Sequence, residues 1–261
     1  MAHMYPFVSR RLAFTLACAS TLTLAPAATA AIRADVRVVT DTGKTLVERT
    51  VRTDTVRIET DPKADCFGEG TEGSGKRVRV PGPTALGIVV DAAAFDRDVR
   101  PISVTDAFDF GLGICGFGGH QAPSSGFWYL KHNHAAAFAG GDQVTLNRGD
   151  DVLWWLDPDF SDAPPGELFL RTRRWARPDE PTRARVFAYD DAGNRSPAEG
   201  ARVRFGDELT DADGFTTVTF DEPAPRVRLR ARRAGDIPSN GERVCVANRR
   251  ARCIGRRAAR R

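Results

Sequence analysis

The sequence predicts a mainly β protein, in which an α+β domain of the β-grasp-like type is followed by a small antiparallel β-sandwich. Short runs of alternating polar and apolar residues, typical of half-buried strands, recur between turns rich in Gly, Asn and Asp. The 16 prolines interrupt the 261 residues too often for long helices, and one segment has a clear helical period. The chain is divided into a signal peptide (1–30), a first domain (31–157), a Pro-rich linker (158–182), a sandwich (183–247) and a basic tail (248–261).

The first thirty residues have the parts of a cleaved secretory signal. Arg10 and Arg11 make the start positive, residues 12–24 are apolar and uncharged, and residues 28–30 form an Ala-Thr-Ala cleavage site. The apolar run is too short for a comfortable membrane span, and no later segment is long enough for one. Lipidation at Cys18 is the alternative. We therefore expect a secreted or cell-envelope protein.

The cysteines outside the leader are even in number: Cys66, Cys115, Cys245 and Cys253. In an exported chain this predicts two disulfides, for which three connectivities exist. Proximity along the chain favours Cys66–Cys115 and Cys245–Cys253, one bond in each half. Four free thiols are the alternative, which an oxidising compartment disfavours.

The net charge of +4 is unevenly placed along the chain. The leader contributes about +2 and the seven arginines from Arg249 onward contribute +7, which leaves about −5 for the body between them. The basic pI is thus a property of the tail, and a specific nucleic-acid-binding domain is not expected. The tail is predicted to be disordered and to bind anionic envelope polymers weakly, with a strong dependence on salt.

The first domain begins with a predicted hairpin, because residues 34–40 and 46–58 alternate on either side of an Asp-Thr-Gly-Lys turn. A Gly- and Glu-rich segment (66–76) is expected to be an exposed loop. Thr84 can then cap the one good helix, whose apolar face comprises Leu86, Val89, Val90, Ala93 and Ala94. A strand over 102–115, broken by Gly111 and Gly113, and two aromatic strands, 126–133 and 149–156, complete the domain.

The aromatic strands supply the candidate binding face. Because side chains alternate along a strand, Trp154 and Trp155 must lie on opposite faces of the sheet. One is expected in the core, and the other is exposed unless Leu168, Phe169 or Trp175 folds back over it. An uncovered aromatic patch usually marks a binding site, whereas core packing of the rings is the alternative. The candidate ligand-binding residues are Phe127, Trp128, Tyr129, Asn133, Trp154 and Trp155.

The same stretch resembles the transcobalamin-like C-terminal domain family. The match covers roughly residues 36–156 and rests on Trp128, Asn133, Gly149, Asp150 and Trp154, while His134 stands where the family usually has glycine. The resemblance implies a β-grasp-like sheet that holds one helix. In transcobalamin the related domain packs over a corrin beside a large helical domain, which this chain does not have. Cobalamin binding is therefore not carried over, and no cofactor is expected.

The second half is predicted to be a stiff linker and a sandwich. Five prolines between residues 158 and 182 indicate an extended linker. Short alternating strands separated by turns then indicate a small sandwich. Residues 200–246 resemble the immunoglobulin-like or carboxypeptidase-regulatory-like repeats of bacterial surface proteins.

Candidate metal ligands are sparse in the sequence. His132 and His134, two apart on a strand, could share a face, and His120 could join them. Polar residues at a hairpin mouth are the favoured interpretation, so no metal site is predicted. The Asp-Ala-Asp-Gly run at 211–214 lacks the other ligands of a calcium loop and is expected to be a turn. The aspartates at 157, 159 and 162 are similarly expected to be solvated.

The sequence contains no catalytic constellation. Ser124 and Ser125 lack a nucleophile elbow, and no phosphate-binding loop, zinc-protease motif or dinucleotide fingerprint occurs. We therefore expect a non-catalytic binding module, with an unknown small molecule or a cell-envelope polymer as its partner. The alternative is a structural spacer or an adhesin-type display protein.

Overall fold

A computed structural model describes residues 30–64, 66–159 and 165–253. These residues form a mainly β protein with several antiparallel sheets, as the sequence predicted. Residues 1–29 of the expected leader and residues 254–261 of the tail lie outside the described residues. Across the described part of the chain, no helix has the length and apolar character needed to cross a membrane.

The first domain is built on a five-stranded sheet that carries one α-helix. Its elements are β1 (Ile32–Val39), β2 (Thr45–Thr53), β3 (Val56–Glu59), β4 (Arg77–Val80), α1 (Ala85–Ala92), a 3-10 turn (Arg97–Val99), β5 (Ile102–Thr105), β6 (Gly113–Phe117), β7 (His120–Gln121), β8 (Phe127–His132), β9 (Ala135–Ala136) and β10 (Asp151–Asp157). The main sheet has the order β2-β1-β10-β8-β9. β1 and β10 run parallel at its centre, and the other pairs are antiparallel. This is the β-grasp-like arrangement that the sequence predicted.

Helix α1 begins where the sequence indicated. The Oγ1 atom of Thr84 accepts a hydrogen bond from the Gly87 amide at 3.0 Å and caps the first turn. Leu86 and Val89 are fully buried in the core on one face of the sheet. Ala94 was expected on the same apolar face, but the helix ends before it and the residue is exposed.

Smaller sheets extend this domain on the face of the main sheet that carries α1. β3 pairs with β4, and β5 pairs with β6, which pairs with β7. The strand expected over 102–115, broken at Gly111 and Gly113, is two strands with a loop between them. Gly111 lies in this loop with a positive φ of 126°, whereas Gly113 is the first residue of β6. The predicted Cys66–Cys115 disulfide is confirmed and ties the loop after β3 to β6.

The second domain contains β11 (Glu167–Thr172), β12 (Trp175–Ala176), β13 (Thr182–Tyr189), β14 (Arg195–Pro197), β15 (Arg202–Val203), β16 (Phe215–Val218), β17 (Ala224–Leu229), β18 (Ala231–Arg232) and β19 (Glu242–Val246). β13 pairs with β11, β14 and β16, whereas β19 joins β12 to β17. Apolar side chains from both groups share one core, as in a sandwich. The Cys245–Cys253 disulfide, also predicted, fixes the start of the basic tail.

The prediction of an extended linker over residues 158–182 is wrong. Most of its described part belongs to the second domain, because β11 pairs with β13 and β12 pairs with β19. Leu168 and Leu170 are fully buried in the sandwich core. The prolines flank these strands without entering them, so their density alone was a misleading sign of an extended linker.

Candidate functional site

The two adjacent tryptophans of β10 lie on opposite faces of the sheet, as the alternation rule predicted. Trp154 is 2% exposed, packs in the core beneath α1 and donates a hydrogen bond from Nε1 to the Ala85 carbonyl at 3.1 Å. Trp155 is 8% exposed and belongs to a separate cluster on the other face. Both rings are therefore buried, each against a different layer of the molecule.

The second domain covers the outer face of the sheet. Trp155, Tyr129 and Leu153 pack there with Ile237, which precedes β19 in the second domain. Two of the three residues that the sequence suggested lie elsewhere: Leu168 is in the sandwich core, and Trp175 donates a hydrogen bond to the Ala247 carbonyl. The third, Phe169, meets the His134 ring edge-on at 5.2 Å. Of the two alternatives that the sequence left open for the outer face, the structure has the covered one. The period of a single strand carries no signal of a neighbouring domain that docks on it.

The remaining candidates of the aromatic strands are also engaged within the protein. Trp128 is buried on the helix side, where its ring meets Phe117 edge-on at 4.8 Å. Phe127 is half-buried and packs against the cluster around Tyr129. Asn133 adopts a left-handed backbone (φ 51°), and its side chain bonds Asp150 and the Asp151 amide. The residue serves the turn after β8.

The two histidines expected to share a face diverge instead. His132 is the last residue of β8, and its Nε2 atom lies 2.8 Å from Asp150 Oδ2. His134 follows two residues later with φ 71°, so the strand alternation no longer applies between them. The left-handed turn directs His134 towards the second domain, where its Nδ1 atom lies 3.1 Å from Glu167 Oε2.

His134 belongs to a polar cluster at the boundary of the two domains. Arg37, on the outer face of β1, donates a hydrogen bond to Glu167 Oε1 at 2.5 Å and another to the Pro238 carbonyl. The side chains of Arg37 and Glu167 are almost completely buried. Possible ligand atoms of His134, Asp151 and Glu167 all lie within 4.8 Å of one another. The cluster thus joins β1, β10 and the turn after β8 to the first residue of β11.

The surroundings shift the pKa values of the two carboxylates in opposite directions. Burial raises the pKa of Asp151 to about 6, against the favourable charge of Arg37. Burial would also raise the pKa of Glu167, but the hydrogen bond from His134 and the charge of Arg37 outweigh it and leave the pKa lowered. Glu167 is therefore held as a carboxylate between a guanidinium and an imidazole.

Further polar contacts link the domains on either side of this cluster. Lys131, only 1% exposed, lies 3.3 Å from Asp191 and donates to the Asp190 carbonyl at 3.1 Å. The Ala136 amide donates to the Asp191 carbonyl at 2.8 Å. On the other side, Arg230 bonds Glu48 of β2 at 2.5 Å. Desolvation, with help from Asp191, also raises the pKa of the Tyr129 phenol in this boundary.

An exposed aromatic cluster lies elsewhere, beside the first disulfide. The rings of Phe67 and Phe108 meet edge-on at 5.2 Å, and those of Phe108 and Phe110 stack at 4.8 Å. Phe67 is 41% exposed and Phe110 is 67% exposed. We call these three residues the aromatic platform. The rings of Phe67 and Phe108 pack directly against Gly113 of β6. A Cβ atom added at Gly113 would lie 2.8 Å from the Phe67 ring and 3.1 Å from the Phe108 ring, so a larger residue would displace them.

The loop next to the aromatic platform is held by Asp142. Its Oδ1 atom accepts a hydrogen bond from the Leu112 amide at 3.1 Å, and an added Cβ at Gly111 would lie 2.7 Å from the same oxygen. Phe138, in the strand-free segment that leads to Asp142, is the most exposed large apolar residue described. The aromatic platform thus borders a second loop that carries an exposed ring.

A cleft of about 460 Å³ also opens at the domain boundary. Trp155 and Asp157 line it from the first domain, and Arg232, Asp236 and Pro238 line it from the second. The cleft therefore reaches the edge of the buried aromatic cluster.

The candidate calcium ligands are used in local turns. Asp211 Oδ1 accepts hydrogen bonds from the amides of Asp213 and Phe215. Asp157 Oδ1 accepts one from the Asp159 amide. Residue 162 lies outside the described part of the chain. These contacts are those of turns closed by aspartate side chains.

Sequence reasoning missed the principal residues of both clusters. Arg37 was on the polar face of an alternating strand, which is normally the solvent face, and Glu167 was within the expected linker. Phe108 and Phe110 were placed in a strand, although the Asp and Gly residues around them are typical of an exposed loop. Comparisons with known protein families, curated proteins and solved structures found no match.

Proposed function

We propose that the mature chain is an exported, non-catalytic binding module of the cell envelope or the extracellular space. The aromatic platform of Phe67, Phe108 and Phe110 is the observation that supports this best. Contiguous exposed rings usually mark a binding site, because they gain free energy when a ligand removes them from water. The neighbouring Cys66–Cys115 disulfide restrains the backbone beneath them. Restraint lowers the entropy lost on binding.

The proposed ligand is an uncharged polymer of the cell envelope whose apolar faces stack on the rings. Phe108 stacks on one face of the Phe110 ring, with 16° between the planes, and Phe110 is 67% exposed, so its outer face is the surface that a flat ligand face would meet. Asp109 stands between them in the chain, and Asp142 lies at the adjacent loop. These carboxylates disfavour an anionic ligand at this surface.

Export is the second part of the proposal. The two disulfides are typical of proteins that fold in oxidising compartments. The charged, apolar and small-residue parts of the leader support cleavage of a signal peptide. The resemblance of residues 36–156 to the transcobalamin-like family stays a prediction, and the proposed function does not depend on it.

Phe110→Ala in the full mature chain tests the binding surface. Co-sedimentation with insoluble envelope polysaccharides, neutral and anionic, is expected to show binding to a neutral polymer that falls about tenfold or more in the variant. Phe95→Ala is the matched control, because Phe95 is similarly exposed (69%) but packs with Arg49 away from the aromatic platform. Equal binding by the Phe110 variant and the unaltered protein, at equal melting temperature, would contradict the proposal.

A structural spacer is the second candidate function. Its support is the closed domain boundary, where Trp155 is covered by Ile237 and Arg37 is buried against Glu167. Such a boundary suits a rigid display element. Amide relaxation measurements should then give one correlation time for both domains, and no polymer in the co-sedimentation panel should bind. Two different correlation times would count against the spacer.

A further inference from the structure

Three side chains with metal-binding atoms meet at the domain boundary. Possible ligand atoms of His134, Asp151 and Glu167 lie within 4.8 Å of one another, and His134 Nδ1 and Glu167 Oε2 are 3.1 Å apart. His134 and Asp151 belong to the first domain, whereas Glu167 opens the second. An ion bound here would therefore connect the two domains directly.

The separations are close to those around a small divalent ion. With bonds of about 2.0–2.1 Å, the ligand atoms of a tetrahedral zinc site lie about 3.4 Å apart. The pair His134 Nδ1 and Glu167 Oε2 already meets this separation, and no pair exceeds it by more than roughly 1.4 Å. The terminal torsion of an aspartate is soft, so Asp151 can shorten the longer separations without a backbone change.

The surroundings fix the orientation of two of the three side chains. Arg37 holds Oε1 of Glu167, which leaves Oε2 directed towards the histidine. The His134 ring stacks on Tyr189 at 3.9 Å, with 12° between the planes, and meets Phe169 edge-on at 5.2 Å. Metal ligands are commonly oriented by such outer contacts, which reduce the entropy lost when the ion binds.

We propose that His134, Asp151 and Glu167 form a site for a divalent transition metal, specifically Zn²⁺, that clamps the two domains together. One imidazole and two carboxylates suit zinc better than calcium or magnesium, which prefer oxygen ligands alone. Asp35 adds a third carboxylate to those of Asp151 and Glu167, and Arg37 and Lys131 are the nearby cations. With a neutral imidazole, this leaves an excess of negative charge that a divalent cation offsets. Three protein ligands also leave a position for water or an external ligand.

Calorimetric titration of the full mature chain with ZnCl₂, after removal of metals with EDTA, tests the site. We expect one Zn²⁺ per chain and a rise in melting temperature of about 5–10 °C at a hundredfold excess over Kd. Ca²⁺ and Mg²⁺ should produce a much smaller rise. X-ray absorption of the zinc-loaded protein should show nitrogen and oxygen neighbours near 2.0–2.1 Å, about the distances that imidazole and carboxylate ligands give.

His134→Ala should lower the zinc affinity by about a hundredfold or more, which corresponds to the loss of one of three ligands. His132→Ala is the matched control, because His132 is also a half-buried histidine beside a carboxylate, Asp150. Asp151→Asn provides a second variant if the first does not fold in EDTA, as judged by its melting curve. The Phe110→Ala variant should bind zinc normally, which separates this site from the proposed polymer-binding surface.

Three results would overturn the assignment. One is the absence of zinc binding below about 100 μM, a concentration that corresponds to weak, non-specific association. Another is unchanged zinc affinity in both His134→Ala and Asp151→Asn. The third is a loss of affinity in His132→Ala as large as that in His134→Ala, which would indicate binding by surface histidines in general. Each would leave the cluster as a hydrogen-bonded contact between the domains.

Discussion

Arg37 of β1 and Glu167 of β11 form an ion pair across the domain boundary, with 2.5 Å between Nη2 and Oε1. The pair is almost completely shielded from solvent, although 130 positions separate the two residues in the chain. Each charge has a further partner, the Pro238 carbonyl for Arg37 and His134 for Glu167. These additional hydrogen bonds offset part of the cost of burying both charges.

Removal of one member of this pair should be strongly destabilising. Arg37→Met leaves Glu167 without its guanidinium, and we expect a loss of about 3–5 kcal/mol in the free energy of unfolding, measured in urea. Arg177→Ala at the exposed pair with Glu180 is the control and should cost at most about 1 kcal/mol. The double variant Arg37→Met/Glu167→Leu should recover part of the loss. A cost of Arg37→Met no larger than the control would show that the pair is open to water.

The two tryptophans of β10 should both be needed for stability, through different layers. Trp154→Ala removes a ring from the core beneath α1 and should cost about 3–5 kcal/mol. Trp155→Ala opens the cluster with Ile237, so it should also be destabilising and should increase hydrogen exchange at the domain boundary. Exchange of the α1 amides should rise mainly in the Trp154 variant. The same exchange pattern in both variants would contradict this division.

The two disulfides should contribute unequally to stability, because they close loops of different length. Cys66 and Cys115 are 49 positions apart, whereas Cys245 and Cys253 are 8 apart. Chain-entropy arguments give about 4 kcal/mol for the longer loop and about 2.5 kcal/mol for the shorter one. Urea unfolding of the two double Cys→Ala variants measures both losses. A larger loss for the shorter loop would mean that local contacts outweigh loop entropy.

Asp61 should contribute to the acid sensitivity of the first domain. The hydrogen bonds from Ser103 and from the Lys63 amide lower the pKa of its carboxyl group. Because the folded pKa lies below the unfolded value of about 3.9, this stabilisation is present above pH 4 and is lost as pH falls through the folded pKa. Asp61→Asn should be less stable than the unaltered protein at pH 6, and the difference should shrink below pH 4.

The matched control for this pH series is Asp109→Asn, since Asp109 is exposed. Unfolding free energies at several pH values between 3 and 7, roughly spanning carboxyl titration, give the two difference curves. A difference for Asp61→Asn that stays constant down to the lowest pH would contradict a role for its ionised form.

The basic tail and the leader keep the status of sequence predictions. Residues 254–261 hold four of the seven tail arginines and lie outside the described part of the chain, as do residues 1–29. Binding of the tail to anionic polymers can be distinguished from binding at the aromatic platform by its salt dependence. Salt weakens the attraction between exposed charges, whereas ring stacking does not depend on net charge.

Local patterns in the sequence were sufficient for the mainly β class, the Thr84 cap, both disulfide pairs and the opposite faces of Trp154 and Trp155. The cap and the two faces depend on residues close in the chain or on a two-residue period. The disulfide pairs followed from the even number of cysteines and from pairing neighbours in order, although Cys66 and Cys115 are 49 positions apart. The Pro-rich segment was misassigned because β11 is stabilised by its pairing with β13, a contact that leaves no local signature.

The tertiary structure alone decided which aromatic rings are covered and which remain exposed. Docking of the second domain buried Trp155 beneath Ile237, whereas the loop after β5 left Phe110 exposed, with the half-buried Phe108 stacked against it. The same docking brought Glu167 to His134 and Asp151. These outcomes depend on packing between residues distant in the chain, and the alternation of polar and apolar residues within a strand does not encode which partner covers its polar face.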